Sequence, residues 1–358
     1  MSIRKHFLRW FSPTFRRVDD ISKVVGQLKK MVYQNKHDIH SFFYEIDGAF
    51  SADEVAHMRS IYEYTRRADF SKIYRDFISG LDEDTARYFH CYLNRIIRCV
   101  ETGNKTIVLT ESEKKRIFDI CAYMDFYDID LGDGTFALGR YIFPKKNFIS
   151  YPTTLESMGL HLLSNYERLT HLDCIDAGAC YGDTALVYSH WTTGSIHSFE
   201  PIKSSYEALL KTIELNKRTN IIPINKGLSD ADGNADFAVF DDCPYSATLL
   251  HTSNKSHTET AQLTTIDRYV KANNLKIGLI KADVEGAERM LLEGAKETIK
   301  EQNPALLISI YHSAEDLFLI KPLIESWNLG YQFQLFKPTA FSLVTEMLLI
   351  AEVKSPPQ

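Results

Sequence analysis

The sequence predicts an α/β protein: a mainly parallel sheet built from β-α-β units, preceded by a helical extension. Two observations carry this. The apolar period changes from helical in the first half to short buried runs alternating with helices in the second, and a glycine-bearing turn follows the first of those runs, where a strand hands over to a helix. Length agrees, since 358 residues exceed the ~100–200 of one usual domain. The boundaries read from the sequence are an N-terminal helix over 1–50, a helical region ending in a β-hairpin over 51–150, and an α/β domain over 151–358.

In the first segment, Val18, Ile21, Val25, Leu28, Val32, Asn35, Ile39 and Phe42 keep the alternating three-and-four spacing of a coiled-coil seam. Two readings stay open: a self-associating coil, giving a homo-oligomer, and an amphipathic helix packed on the protein's own body. Ahead of it, Arg4, Lys5, Arg9, Arg16 and Arg17 mix with Phe7, Trp10, Phe11 and Phe15, a composition suited to peripheral contact with an anionic membrane face or to local docking. The start lacks the apolar run of a signal peptide, and no stretch reaches the ~20 apolar residues of a membrane span. A cytoplasmic location is expected, at most peripheral at the inner face of the membrane.

The second segment opens with Ser51 and Glu54 in the spacing of a capping box, and Gly80 and Gly103 are the expected helix stops. Basic residues interleave with Tyr and Phe from Tyr62 to Arg98. Amphipathic helices with a solvated basic face account for this better than nucleic-acid binding, since 41 basic residues against 47 acidic give a net charge of −6. No nucleic-acid partner is expected. Tyr127 to Phe143 alternates around Gly132-Asp133-Gly134, which reads as a hairpin placed to cover the site of the following domain. Six cysteines without a C-x-x-C pair argue against a zinc knuckle or a disulfide framework.

In the third segment, strands are expected at Leu172–Asp176, Ser195–Phe199, Ile221–Asn225, Ile277–Lys281 and Ala305–Ile310, with helices at Ser205–Asn216 and Ala287–Lys300. Tyr331–Leu335 and Met347–Ala351 follow without a clear crossover helix between them, so a closing antiparallel hairpin is expected. The turn Asp176-Ala-Gly178-Ala179-Cys-Tyr-Gly182-Asp183-Thr184 places Gly178 and Gly182 for close backbone approach to a ligand. A dinucleotide fingerprint would need glycines at 178, 180 and 183, where this chain has Gly178, Cys180 and Asp183. The spacing suits a nucleoside without a pyrophosphate. Glu200, after the second strand, is placed to accept from both ribose hydroxyls, or else to cap the entry of the next helix. Leu228, Ser229 and Asp230 follow the third strand where an adenine ring would lie, with Asp230 accepting from its exocyclic amine; an ordinary surface turn reads the same way.

Lys281-Ala-Asp-Val-Glu-Gly-Ala-Glu288 makes the pattern specific. Together with Asp176–Thr184, Phe199-Glu-Pro201, Leu263-Thr-Thr-Ile-Asp267, Gly294-Ala295 and Ile310–Leu317, it closely resembles the FkbM family of S-adenosylmethionine-dependent methyltransferases, from about Leu172 to Val353. The resemblance implies a class I methyltransferase Rossmann-like sheet of seven strands with the last reversed, S-adenosyl-L-methionine as cofactor, and methyl transfer to hydroxyl groups of sugars, surface polysaccharides or secondary metabolites. A glycan or glycolipid acceptor is the expected partner. Two departures stand out: Cys180 replaces a common methyltransferase glycine, and Phe336-Lys337 stands where many relatives carry an Arg-His pair.

An alcohol is a poor nucleophile near neutral pH, so a base within hydrogen-bond reach is expected to assist. Asp283, Glu285, Tyr311 and His312 end adjacent strands at the edge where open α/β sheets bind ligands. His312 is the expected base, since an unperturbed imidazole pKa of ~6.5 suits proton abstraction near neutrality; a strand-end histidine bonded to backbone is the alternative. Asp283 and Glu285 are expected to hold the cofactor's methionine end or acceptor hydroxyls, and Glu288 to do the same or cap its helix. Oxygen-rich groups such as Asp283 and Glu285 with His312 suit Mg²⁺, but the spacing is not diagnostic and no metal is assigned. Ser246, in a small polar stretch suited to a loop facing cofactor or acceptor, is read as a substrate contact, and a plain surface connection reads equally well. A second function class also stands: a cofactor-binding scaffold that recruits glycan-assembly enzymes through its N-terminal helices.

Overall fold

The structure is a computed structural model that describes residues 45–47, 50–103, 106–144, 151–240, 243–248, 256–338 and 343–353. The coil register and the basic aromatic segment before it lie outside the described residues.

A short strand β1 (Glu45–Asp47) pairs antiparallel with β2 (Thr106–Val108). Between them run α1 (Ala52–Thr65), α2 (Phe70–Ile78) and α3 (Glu83–Thr102), with α4 (Glu111–Tyr127) after β2. The capping box forms as read: Ser51 Oγ accepts from the Glu54 N–H at 3.0 Å, and the Glu54 carboxylate accepts from the Ser51 N–H at 3.1 Å. Gly103 closes α3 in the left-handed region with φ 67°, donating to the Cys99 carbonyl. Several aromatic residues of α1–α3 point into the protein. Tyr64 stacks on Phe318 with centroids 5.3 Å apart, and Phe70, Phe77 and Phe89 meet the same ring edge-on. Most of the interleaved Tyr and Phe are therefore core residues or packed against the core, and most charged positions between them face solvent, Arg95 excepted, which pairs with the buried Glu113 at 2.7 Å.

Three strands follow, β3 (Asp128–Asp130), β4 (Phe136–Leu138) and β5 (Tyr141–Phe143), in an antiparallel meander. One more strand forms than the hairpin read from the sequence, because Gly139-Arg140 makes a second two-residue turn between the paired Leu138 and Tyr141. Leu138 and Phe143 pack with Ile120, Tyr181 and Leu186, so the meander abuts the glycine turn.

The main sheet is built from β6 (Asp173–Ala177), α5 (Asp183–Tyr188), β7 (Ile196–Phe199), α6 (Lys203–Asn216) and β8 (Ile221–Ile224). An insertion follows, β9 (Gly227–Leu228), β10 (Gly233–Phe240), β11 (Cys243–Thr248) and β12 (Ser256–Thr264), forming its own sheet in the order β11-β10-β12-β9. The chain then returns through α7 (Ile266–Asn273), β13 (Ile277–Ala282), α8 (Glu288–Glu293), α9 (Lys296–Gln302), β14 (Ala305–Ser309) and α10 (Ala314–Ser326), and ends in β15 (Tyr331–Phe336) and β16 (Leu348–Val353). The seven strands lie in the order β15-β16-β14-β13-β6-β7-β8, and β16 runs antiparallel to both neighbours. The closing hairpin is as expected.

Central strands are buried on both faces, which is why they read as continuous apolar runs. Ile175, Ile280, Ile308 and Leu349 pack toward α7–α10 and the N-terminal helices, in one core with Phe77 and Phe89. Cys174, Leu279, Leu307 and Ile350 pack on the opposite face. The helix read at Ala287–Lys300 is two helices broken at Gly294-Ala295. A Cβ at Gly294 would lie 2.0 Å from the Ser229 carbonyl oxygen, so the chain comes too close there for a continuous helix with side chains. Ser246 falls on the edge strand β11 rather than on a loop. Pro244 is compatible with that edge, where a missing N–H is tolerated.

Behind the sheet, Glu352 on β16 is 3% exposed and accepts from Ser164 N–H, Ser164 Oγ–H and Asn165 N–H. It ties the last strand to the segment that precedes the first strand of the sheet.

Candidate functional site

The site lies where β6, β7, β13 and β14 end. Gly178, Cys180 and Gly182 have φ of 74°, 48° and 84°, so the turn after β6 is left-handed at three positions. A Cβ at Gly178 would meet the Asp283 carbonyl oxygen at 1.9 Å, and one at Gly182 would meet Leu209 Cδ1 at 2.5 Å. Both glycines are thus demanded by the chain's own packing, a different reason from the ligand approach read in the sequence. Cys180 is a free thiol that takes the left-handed conformation with its side chain in place. The Gly178 and Ala179 N–H groups donate to the Phe199 carbonyl at 3.1 and 2.9 Å. Lys281, 3% exposed on β13, places its ammonium 3.1 Å from Asp176 Oδ1 and donates to the Gly178 carbonyl at 2.8 Å. Sequence reading missed this lysine. Its signal is a lysine inside a strand apolar on both faces, where an unpaired charge would be costly.

Glu200, 5% exposed, accepts from the Cys180 N–H and the Ile202 N–H, both at 2.8 Å. It therefore ties the segment leading into α6 to the glycine turn. Burial pushes its pKa up to about 7, against the pull of those two N–H groups. Asp183 accepts from the Thr184 N–H at 2.8 Å, and burial raises it to about 6, opposed by Lys281. Thr184, Leu228 and Ser229 are buried, whereas Asp230 is exposed and accepts from Ser229 Oγ–H at 3.1 Å. Carboxylates and hydroxyls thus dominate this side of the cleft. That donor set fits the ribose and amine of a nucleoside and offers no arginine cluster for a pyrophosphate.

Beside it, the Asp283 N–H donates to the Ala177 carbonyl at 3.1 Å, which locks the end of β13 to the glycine turn. Glu285 is left-handed, φ 54°, and Glu288 reaches back to accept from the Val284 N–H at 2.8 Å and the Gly286 N–H at 3.1 Å. His312, with 8% of its side chain exposed, sits among the carboxylates: Nδ1 is 2.8 Å from Glu288 Oε1, and Nε2 is 3.3 Å from Asp283 Oδ1 and 3.8 Å from Glu285 Oε2. Tyr311 donates to Asp283 Oδ1 at 3.2 Å, and its ring centroid is 4.1 Å from that of His312. Burial disfavours charge on His312, but Glu288, Glu285 and Asp283 outweigh it and hold the imidazole up at about 10. The expected base of ordinary pKa thus stands among carboxylates that favour its protonated form. Burial raises Glu285 to about 7, with His312 opposing and the neighbouring carboxylates adding.

The structure brings Asp176, Gly178, Ala179, Gly182, Asp183, Thr184 and Glu200 together with Asp283, Glu285, Tyr311 and His312 along one edge of the sheet. Two further groups join them: Glu288, already named beside Asp283 and Glu285, and His57, which was not. Glu288 is fully buried against His312, and α1 brings His57, whose pKa falls to about 4 through burial and then the charge of His312. His57 Nε2 has no hydrogen-bond partner among the described residues. Phe336 and Lys337, both buried, sit elsewhere: the Arg116 guanidinium lies over the Phe336 ring, and the Lys337 ammonium donates to the Thr345 carbonyl. Burial lowers Lys337 to about 8. A separate open cavity of about 770 Å³, lined by Arg140, Tyr141, His161, His190 and Trp191, lies at the far end of α5 from the glycine turn.

Residues 176–333 match the family described as the methyltransferase FkbM domain. Among solved structures, the chain is similar to the methyltransferase FkbM from Methylobacillus flagellatus KT, with 18% identity and a TM-score of 0.51 over 78% of this chain and 58% of that one. It thus spans 58% of that protein's length. An rRNA methylase from Streptococcus thermophilus is 14% identical with a TM-score of 0.35, over 58% of this chain and 99% of that one. TYW2 of M. jannaschii in complex with AdoMet is 12% identical with a TM-score of 0.33, over 69% and 89%. No curated protein matches the chain. No helix among the described residues is long and apolar enough to cross a membrane.

Proposed function

We propose, from the premise that residues 176–333 form an FkbM methyltransferase domain, that this protein is an S-adenosylmethionine-dependent O-methyltransferase acting on a hydroxyl of a sugar in a surface glycan or glycolipid. One observation carries it: the Asp283-to-Ala177 backbone hydrogen bond holds the carboxylate-histidine cluster against the nucleoside-type cleft. A group-transfer centre and a proton-handling centre are therefore adjacent. When bound, the cofactor supplies an electrophilic methyl on a sulfonium.

Glu200 accepts from the ribose hydroxyls, and Asp230 with Ser229 meets the adenine edge. Asp283 and Glu285 hold the acceptor hydroxyl, and the proton it loses as the O–CH₃ bond forms and the S–CH₃ bond breaks passes to the cluster's carboxylates. His312 pairs with those carboxylates and positions them. Alignment of this kind lowers the barrier without any strongly basic group. A neutral sugar needs no cationic surface, in keeping with the net charge of −6. The enzyme reading is favoured over the recruiting scaffold because α1–α3 bury their aromatic faces against Phe318 and leave less apolar surface for a partner.

Calorimetric titration with S-adenosylhomocysteine tests the cleft: wild type binds with micromolar affinity and Glu200→Ala binds at least tenfold more weakly. Absence of binding by wild type, or unchanged binding by the variant, would sink it. Incubation with candidate glycans and methyl-labelled cofactor tests the acceptor class, and label appearing only on small-molecule amines would exclude hydroxyl transfer.

A further inference from the structure

We infer that Asp283, Glu288 and His312 form a binding site for one divalent cation of the Mn²⁺ or Mg²⁺ class, at the wall of the cleft. One ligand atom from each of the three lies within 4.8 Å of the others, a few tenths of an ångström beyond the ~4.0–4.6 Å between opposite ligands of one ion, so a small inward shift of the side chains closes the set around it. The three come from two strand ends and the first turn of a helix, so they converge in space and not by local sequence.

Burial sharpens the case. Glu288 is fully buried and the His312 side chain is 8% exposed, whereas acidic clusters without an ion are ordinarily solvated. Neither ring nitrogen of His312 makes a directed hydrogen bond among the described residues, although carboxylate oxygens stand 2.8 and 3.3 Å away. The two contacts fall on opposite ring nitrogens, so one nitrogen can turn to the ion while the other stays beside a carboxylate that orients the ring. Nearby cationic side chains are committed elsewhere: Lys281 to Asp176 and the Gly178 carbonyl, Arg289 to Asp316 at 3.0 Å. Among the described residues, no lysine or arginine ion-pairs with Asp283 or Glu288.

The ligands are also oriented by their neighbours. Two backbone N–H groups hold Glu288, and the Tyr311 hydroxyl holds Asp283. Outer contacts of this kind fix ligand geometry in metal sites. Two carboxylates and one imidazole, which gives up its proton as the ion takes that proton's place among the carboxylates, make an oxygen-majority set that suits Mn²⁺ or Mg²⁺ with water completing the shell. Those water positions would accept two neighbouring hydroxyls of the acceptor; this last role rests on the methyl-transfer reading, but binding of the ion does not.

Titration of the purified full-length chain with Mn²⁺, followed by the electron paramagnetic resonance of free ion, should show one site per chain, displaced by excess Mg²⁺. Asp283→Asn and His312→Gln, each checked by its thermal melt, should weaken binding at least tenfold. In wild type alone, Mn²⁺ should broaden the ring resonances of His312 before those of His161 or His190. No saturable Mn²⁺ binding, unchanged affinity in both folded variants, or broadening that spares His312 would each overturn the site. Running S-adenosylhomocysteine binding on the same sample separates the two claims. Nucleoside binding without Mn²⁺ binding refutes the cation site alone, and the reverse refutes the methyltransferase reading alone.

Discussion

Six positions of chain separate His312 from Phe318, and the two sit in opposite kinds of environment. Phe318, fully buried on α10, touches Tyr64, Phe70, Phe77 and Phe89 from the N-terminal helices, with ring centroids between 5.3 and 6.1 Å away. His312, just before the same helix, is buried among three carboxylates. The first environment gains from every contact it makes. The second confines like charges that would separate if the chain allowed. The difference shows what the N-terminal helices contribute: they hold α10 in place, and so hold the strand end on which the strained cluster is assembled.

The comparison predicts that stability and site chemistry can be moved separately. Phe318→Ala should show the largest effect, a loss of about 3–5 kcal/mol, read as a lower midpoint in a denaturant melt. At low temperature the folded fraction should keep its affinity for S-adenosylhomocysteine within about twofold; a parallel loss of affinity would show that the two environments are one unit.

Next comes the pH response of Glu200. Its folded pKa of about 7 stands above the ordinary 4.5, so the folded state keeps this proton longer than the unfolded chain. The stabilisation is complete below about 4.5 and is lost as pH rises through about 7, a decline on the order of 3 kcal/mol. Glu200→Gln should flatten that part of the stability-versus-pH curve. Cofactor affinity should run the other way in wild type, rising through pH 7 as the carboxylate becomes the better acceptor for ribose hydroxyls. An affinity that is flat between pH 6 and 8 would remove Glu200 from the ribose. Smallest is Lys72→Ala, which breaks an exposed pair with Asp76 on the outer face of α2 and should cost under ~0.5 kcal/mol. A larger loss would mean that the outer surface of these helices carries more than solvation.

Much of the sheet was legible because its central strands are apolar on both faces and are punctuated by glycines and helix patterns. Ile277–Ala282 is the clearest case, with every residue buried. The ends of those strands also named most of the site, since ligand-facing groups in such folds sit there. What was not legible depends on contacts between distant parts of the chain. Glu288 reads as a helix-start acid, and only the fold puts it under His312, where it pushes that imidazole toward its protonated form. His57 gave no sign of belonging to the site, because its position depends on how α1 lies across the end of the sheet. The β11 strand was hidden by its small polar composition, which an edge strand tolerates and a loop shares. Arg116, whose guanidinium donates to the Lys337 carbonyl and pairs with Glu156, links regions that no local pattern connects.

Glu352 reaches from the last strand to the backbone of Ser164 and Asn165, and that contact determines how the molecule comes apart. Peeling β16 away from β14 would strip three donors from one buried carboxylate at once, so the β15–β16 hairpin and the 157–165 segment should open together, as a single cooperative unit in hydrogen exchange. A piece of the chain cut to begin at β6 would leave that carboxylate buried with nothing to accept from, and its first sign of weakness would be rapid exchange in the strand farthest from the cut in sequence.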